Sequence, residues 1–285
     1  MIHLKHIKEK TITIMLIICG LISCLPIIFL IIASFMSNSE LLQSLASILS
    51  NSEEYVKLVF IPKYPTFRAY VKLFFDSPDF FVAYWNSVKI VFFVICGQLI
   101  VGVTAAWGFA KYNFKFKKTI LILYIVLMLM PFEVTMLSSY LLLDKIKLID
   151  SHLSIILPGI FSTFPIFIMY RSFSAIPNEI IEAARIDGAG HLDIFFKIGL
   201  PLGKSGIISS MLLQFFEYWN LIEQPLIFLT NKNLWTLPLY IPNISLDYAD
   251  INFVASVIVL LSSILVFFAG EKNLEDGIST LTEKD

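Results

Sequence analysis

Residues 177–201 read PNEIIEAARIDGAGHLDIFFKIGLP, from Pro177 to Pro201, and this stretch decides how the rest of the chain is read. It lies between strongly apolar segments but is itself too polar to cross a bilayer. Pro177 suits the first turn of a helix, where its missing N–H removes a donor that would be orphaned anyway. Glu179 and Glu182 fall in the early turns, where the helix dipole favours negative charge. Gly188 is a natural left-handed stop after Asp187. A second helical run follows, with Leu192, Phe195, Phe196 and Ile198, and Leu200-Pro201 ends it. The expectation is a helix–glycine–helix element carried on a loop between membrane spans.

The surrounding composition agrees with a membrane setting. Of 285 residues, 57% are hydrophobic and 15% charged, whereas soluble domains carry about a quarter charged residues. The net charge of −1 leaves no basic footprint for nucleic acid. Cys19, Cys24 and Cys96 sit in apolar runs without ligand spacing, and the four histidines are scattered, so no metal is expected. Apolar segments long enough for a hydrocarbon core of about 30 Å run from Thr11 to Phe35, Trp85 to Ala110, Thr119 to Leu143, Leu153 to Tyr170, Ser205 to Leu229 and Ile251 to Ala269. Pro131, Pro158 and Pro165 interrupt the third and fourth. Leu21-Ile22-Ser23-Cys24 resembles a lipoprotein cleavage box, but the apolar run continues past Cys24, which favours an uncleaved first helix.

The expected organisation is an N-terminus and first membrane helix at 1–36, an extracytoplasmic segment at 37–84, a five-helix core at 85–270 with the polar loop at 174–204, and a charged tail at 271–285. Six spans put both ends on one side. Thirteen of the 21 Lys and Arg residues fall in the N-terminus, the 111–118 loop, the 171–204 loop and the tail, which places that side, with both termini, in the cytoplasm of a bacterial-type cell. Neither HExxH nor GxSxG occurs. Gly203-Lys204-Ser205 looks like the end of a P-loop, but Ile198 stands where its first glycine is required.

Glu182-Ala183-Ala184, Asp187-Gly188-Ala189, Phe195, Ile198, Leu200 and Pro201 match the pattern E-A-A-x-x-D-G-A-x-x-x-x-x-F-x-x-I-x-L-P. The chain therefore resembles the membrane subunits of ATP-binding-cassette importers, which carry this EAA loop. Trp219-Asn220 with Pro225-Leu226, Leu129-Met130-Pro131 and Pro158-Gly159 extend the resemblance to carbohydrate-uptake permeases, most of all the second, six-span permease of the maltose-transporter type.

That resemblance implies an all-α polytopic membrane protein of six transmembrane helices with the type I ABC importer permease fold. It implies that Glu182, Ala183, Ala184, Asp187, Gly188 and Ala189 dock on a cytoplasmic ATPase subunit. This chain would bind no cofactor, and ATP and Mg would sit on the ATPase. Further implied partners are a second permease subunit, giving a heterodimer, and an extracytoplasmic solute-binding protein. The solute would be a sugar or oligosaccharide. A peptide, polyamine or phosphate importer stays open, as does a self-sufficient secondary transporter using Glu133 or Glu217 as a proton site.

Within the spans, Gln214, Glu217, Asn220 and Gln224 recur every three to four residues and share one helix face. Ionisable groups in membrane helices usually face a pathway, so Glu217, Asn220 and Gln214, with Glu133 after Pro131, are candidate pore-facing residues. The alternative is that they bond this helix to its neighbours. Asn231, Trp235 and Tyr240, in the polar aromatic stretch from Thr230 to Asp250, resemble an outer loop that reaches toward the binding protein. An ordinary interfacial aromatic loop is the other reading.

Overall fold

The computed structural model describes residues 2–49, 61–244 and 246–282, all of it helix, turn and loop, with no β-strand among the described residues. Parts of the expected extracytoplasmic segment (50–60) and of the tail (283–285) lie outside them. The helices are α1 (Ile2–Ala33), α2 (Asn38–Leu49), α3 (Arg68–Asp76), α4 (Pro78–Lys111), α5 (Lys117–Leu129), α6 (Phe132–Lys145), α7 (Leu153–Ile160) and α8 (Thr163–Ala175). They continue with α9 (Asn178–Ile186), α10 (His191–Ile194), α11 (Leu200–Leu202), α12 (Lys204–Trp219), α13 (Glu223–Phe228), α14 (Leu237–Tyr240) and α15 (Ala249–Thr282).

Four stretches are long and apolar enough to cross a membrane: Ile12–Ala33, Pro78–Lys111, Leu153–Ala175 and Ala249–Leu274. A fifth is α5 with α6, bent by 104° at Pro131. The stretch expected at 205–229 is α12, of 16 residues, followed by the short α13. The chain is an all-α polytopic membrane protein.

Three spans are thus broken, and prolines set where. Pro131 caps α6 with an extended backbone. Pro165 and Pro225 each occupy the third position of the half-helix after the break, α8 and α13. There the missing N–H costs no intrahelical bond, because the first-turn donors have no partner within the helix. The carbonyl that Pro225 leaves unbonded, on Leu221, accepts from Thr236 Oγ1 instead. Pro158, by contrast, stays inside α7.

The chain divides into two compact units, residues 1–80 with 241–260 and residues 81–240 with 261–285. In the first, Ala33, Met36 and Leu41 form a small core joined by Phe29 and Phe253. Ser34 Oγ and Tyr70 Oη lie 2.8 Å apart, and Asn38 Nδ2 donates to Asp247 O at 2.6 Å.

The second unit contains the tightest helix contact. At Gly203 and Gly206 an added Cβ would fall on the Phe173 ring and on the Ser172 side chain. Small residues of this kind let membrane helices approach backbone to backbone, and α8 and α12 pack as one piece. Below this contact Trp107 meets Phe173 edge-on at 5.3 Å and Phe195 at 5.7 Å. The buried cluster continues through Val103, Met169, Ile181 and Ile194.

Candidate functional site

Two places in the second unit combine exposed chemistry with built geometry. The first is the polar element quoted above. Helix α9 turns Ile181 inward onto the cluster of Trp107 and Phe173 and leaves Glu182, Ala183, Arg185, Ile186 and Asp187 exposed. It ends in a Schellman motif: Gly188 has φ +84°, Ala189 N donates to Ala184 O at 2.9 Å, and Gly188 N donates to Arg185 O at 3.1 Å. The motif satisfies the last carbonyls of the helix with a residue in the left-handed region. Ala184 and Ala189 pack inward beneath it.

The second half of the element does not stop at Pro201, as the sequence suggests. Pro201 has no N–H for the carbonyl of Lys197, and the turn widens to a π-helix over Phe195–Gly199, closed by Leu200 N donating to Phe195 O. The helix then continues to Leu202. Among the described residues Arg185 and Asp187 make no ion pair with each other. The pair on this element is Asp193–Lys197, at 2.6 Å. That bond holds the Asp193 carboxyl below its usual range, although a pair so exposed adds little to stability.

The start of the element and the start of its second helix are clasped by the end of α4 and the residue after it. Lys111 Nζ donates to Ile176 O and to Asn178 Oδ1 (3.2 Å), and Tyr112 Oη lies 3.2 Å from His191 Nδ1. What the element offers outward is a ridge of small and charged residues flanked by Ile186 (86% exposed) and Leu192 (72% exposed). These two apolar side chains are absent from the sequence-derived set. An apolar residue on the polar face of an extramembrane helix is the signal that could have found them.

The second place is a cleft of about 520 Å³ where the three broken spans meet. Met130 and Thr135 border it from the first break, Phe161, Ser162 and Phe164 from the second, and Glu217 and Gln224 from the third. Tyr218 and Pro158 complete the wall. No lysine or arginine is among its lining residues.

The four polar positions expected to face a pore separate here. Glu217 borders the cleft. Gln214 is fully buried and instead bonds helices together: it accepts from Gln98 Nε2 at 2.8 Å and donates from its Nε2 to Glu217 Oε2 at 2.7 Å. Asn220 folds back to donate to Phe216 O and finishes α12. Glu133 is exposed in the first turn of α6, outside the lining set, while Thr135 one half-turn on is inside it. Gln98, on α4, was not singled out from sequence, although a glutamine in an apolar span is the kind of group that needs a partner.

The stretch carrying Asn231, Trp235 and Tyr240 is strapped down. Asn231 N donates to Asp150 Oδ1 (2.8 Å), Trp235 Nε1 to Leu229 O (3.1 Å), and Leu237 N to Ser87 Oγ (2.8 Å). Asn86 Nδ2 donates to Asn233 O and Trp235 O. His152 Nε2 lies 3.1 Å from Leu234 O. Burial lowers the His152 pKa, the bond to Leu234 opposes the shift, and the Lys89 charge adds to it. A histidine depressed in the folded state contributes stability above its unfolded pKa of about 6.5 and loses it as pH falls. Amide protection over 229–237, taken as the ratio of the intrinsic to the observed exchange rate, should therefore fall several-fold between pH 7 and pH 5, and His152→Phe should remove that dependence. An equal loss of protection in the variant would contradict this account.

Residues 98–279 match the family described as "Binding-protein-dependent transport system inner membrane component". The chain belongs to this family. Among relatives of this inner membrane component, the arabinooligosaccharides transport system permease AraQ of Halalkalibacterium halodurans is 27% identical over 261 residues, covering 90% of each chain. The lactose transport system permease LacG of Rhizobium radiobacter is 28% identical over 208 residues, 72% of this chain and 76% of LacG. The sn-glycerol-3-phosphate permease UgpE of Salmonella typhimurium is 28% identical over 161 residues, 56% of this chain and 57% of its own length. A crystal structure of a bacterial ABC transporter involved in alginate import superposes with a TM-score of 0.79, at 22% identity, over 94% of this chain and 96% of that one. The inner membrane component is thus a transport subunit whose fold is that of an ABC importer permease.

Proposed function

We propose that this chain is the six-span permease subunit of an ATP-driven importer for a sugar or oligosaccharide, paired with a second permease as a heterodimer. ATP and Mg are bound by cytoplasmic ATPase subunits, and an extracytoplasmic protein delivers the solute. Both termini and the 178–202 element face the cytoplasm. The observation that carries this reading is the exposed, rigidly capped ridge from Glu182 to Ala189, held against the cluster that joins α4, α8 and α9. A partner closing on the ridge moves α8 and α12 together, because the glycine contact packs them backbone to backbone. That would tilt two of the three walls of the cleft.

The lining favours a neutral, hydroxylated solute over a phosphorylated one. Phe161, Phe164 and Tyr218 offer aromatic surface, while Ser162, Thr163, Gln224 and the Glu217 carboxylate offer hydrogen-bonding groups. Such a mixture of apolar wall and few polar groups suits small-molecule recognition. A lone carboxylate without a cation disfavours a phosphate. Asn231 and Trp235 contribute to the binding-protein face as a fixed surface, since their stretch is bonded down along its length.

The test is reconstitution of the chain with its co-purifying ATPase, second permease and binding protein, followed by uptake of arabinotriose, lactose and sn-glycerol-3-phosphate. ATP-dependent uptake of a sugar with no uptake of the phosphate ester supports the reading. Uptake driven by a proton gradient without the ATPase would overturn it. In the same system Glu217→Gln should raise the half-saturating sugar concentration about tenfold, the loss of roughly one charged hydrogen bond, and leave ATPase association intact. An unchanged half-saturation would remove Glu217 from the solute path.

A further inference from the structure

Gln98, Gln214 and Glu217 form a line of bonds with a fixed direction. The line starts at a backbone carbonyl. Gly159 stands next to last in α7, just before the break in span four. Its oxygen already accepts turn bonds from Phe161 N and from Ser162 N, the latter at 3.1 Å. Gln98 Nε2 donates to that oxygen at 2.8 Å. A carbonyl can only accept, so the amide of Gln98 must present its nitrogen there. The opposite orientation would set oxygen against oxygen.

The choice propagates. The second hydrogen on Gln98 Nε2 goes to Gln214 Oε1 at 2.8 Å. Gln214 then has only its Nε2 to offer onward, and that nitrogen lies 2.7 Å from Glu217 Oε2. Both glutamines are completely buried. The orientation also leaves Gln98 Oε1 buried without a partner. An unmet buried acceptor costs about 1–3 kcal/mol, so something outweighs it. The carbonyl at the start of the line and the carboxylate at its end supply that reason, since both demand donors.

We propose that Gln98 is a positioning residue for the cleft: anchored on the Gly159 carbonyl, it fixes the amide direction of Gln214 and so holds the Glu217 carboxylate toward the solute path as an acceptor. The proposal rests on the reading of Glu217 as a cleft carboxylate. It adds that the orientation of this carboxylate is set by α4 and by the break in span four, two elements that do not carry it. Without Gln98, the amide of Gln214 can turn its oxygen to Glu217, which drives the carboxylate away.

The experiment is infrared difference spectroscopy on the assembled transporter in lipid, without solute. Subtracting Glu217→Gln from wild type isolates the carboxylate band of Glu217. The same subtraction is made in a Gln98→Met background, which keeps the volume but removes the bonds. Loss of the donor should displace the band by several wavenumbers. Gln214→Met should displace it equally, and the two changes together should add nothing further. Ser210→Ala, which removes a different buried bond of α12 (Ser210 Oγ to Pro165 O of α8), should leave it in place. Recovery of the ATPase and the second permease on the tagged chain at the wild-type ratio shows that each variant is assembled. A Glu217 band unmoved by Gln98→Met overturns the proposal. The absence of any carboxylate band in the first subtraction would instead overturn the role given to Glu217 itself, and the two failures are read from different spectra.

Discussion

Replacing Gly188 by valine should reduce ATP-dependent uptake at least tenfold and release the ATPase from the solubilised complex, while the chain itself stays folded in the membrane. At φ +84° Gly188 lies where a β-branched residue is strained, at a cost of roughly 1–3 kcal/mol. Nothing lies within 4 Å of the position where a Cβ would be added, so the effect is conformational and not a clash. The strain is relieved by unwinding the last turn of α9, which breaks the bonds from Gly188 N and Ala189 N and turns Ile186 and Asp187 away from the ridge. Asparagine tolerates the left-handed region, so Gly188→Asn should keep most of the uptake. Uptake measured in proteoliposomes and ATPase retained on the tagged chain are the two readouts. If valine and asparagine behave alike, the backbone argument is wrong.

The second large effect is expected at the contact of α8 and α12. Gly206→Leu puts a side chain into space held by Ser172. Overpacking a fitted interior costs about 1–3 kcal/mol or more, and here the helices can only respond by moving apart. The melting temperature should fall by several degrees and uptake should be lost, because the two spans no longer move as one piece. The milder Gly206→Ala should lose part of the activity, and adding Ser172→Gly should restore it. Failure of that rescue would mean that the close approach at this pair is not what links the spans.

The element 177–201 was legible in the sequence because its determinants are local. A left-handed glycine after a short helix, acidic residues in the first turn and a proline at its end are readable without knowing any neighbour. The exception is Pro201, where the chain absorbed the missing donor by widening a turn instead of stopping. The broken spans were half legible. Prolines marked the third and fourth, whereas the fifth was read as unbroken; the later breaks fall at 161–162 and 220–222, because a proline at the third position of a half-helix interrupts nothing in the helix it begins.

The cleft was the least legible part. Helical periodicity correctly placed Gln214 and Glu217 on one face. It had no means of showing that Gln214 is taken up by a residue 116 positions earlier in the chain, or that Asn220 is used to end α12. Glu217 borders the cleft because of what stands opposite it, and that is decided by packing between spans. The same holds for the stretch from Asn231 to Leu237, whose composition suggests an open loop and whose bonds to Asn86, Ser87, Asp150 and His152 make it a fixed surface.

The clasp formed by Lys111 and Tyr112 bears on how such a subunit could be rebuilt. The loop of residues 178–202 looks like a cassette that could be cut from one permease and grafted into another to redirect it to a foreign ATPase. Its start and its middle, however, are bonded to Lys111 and Tyr112 at the end of α4, more than 60 residues earlier in the chain. A graft that moves the loop alone would leave Asn178 and His191 facing whatever the host carries there. The smallest portable unit is therefore discontinuous, and chimeras should be designed with Lys111 and Tyr112 travelling alongside the loop they hold.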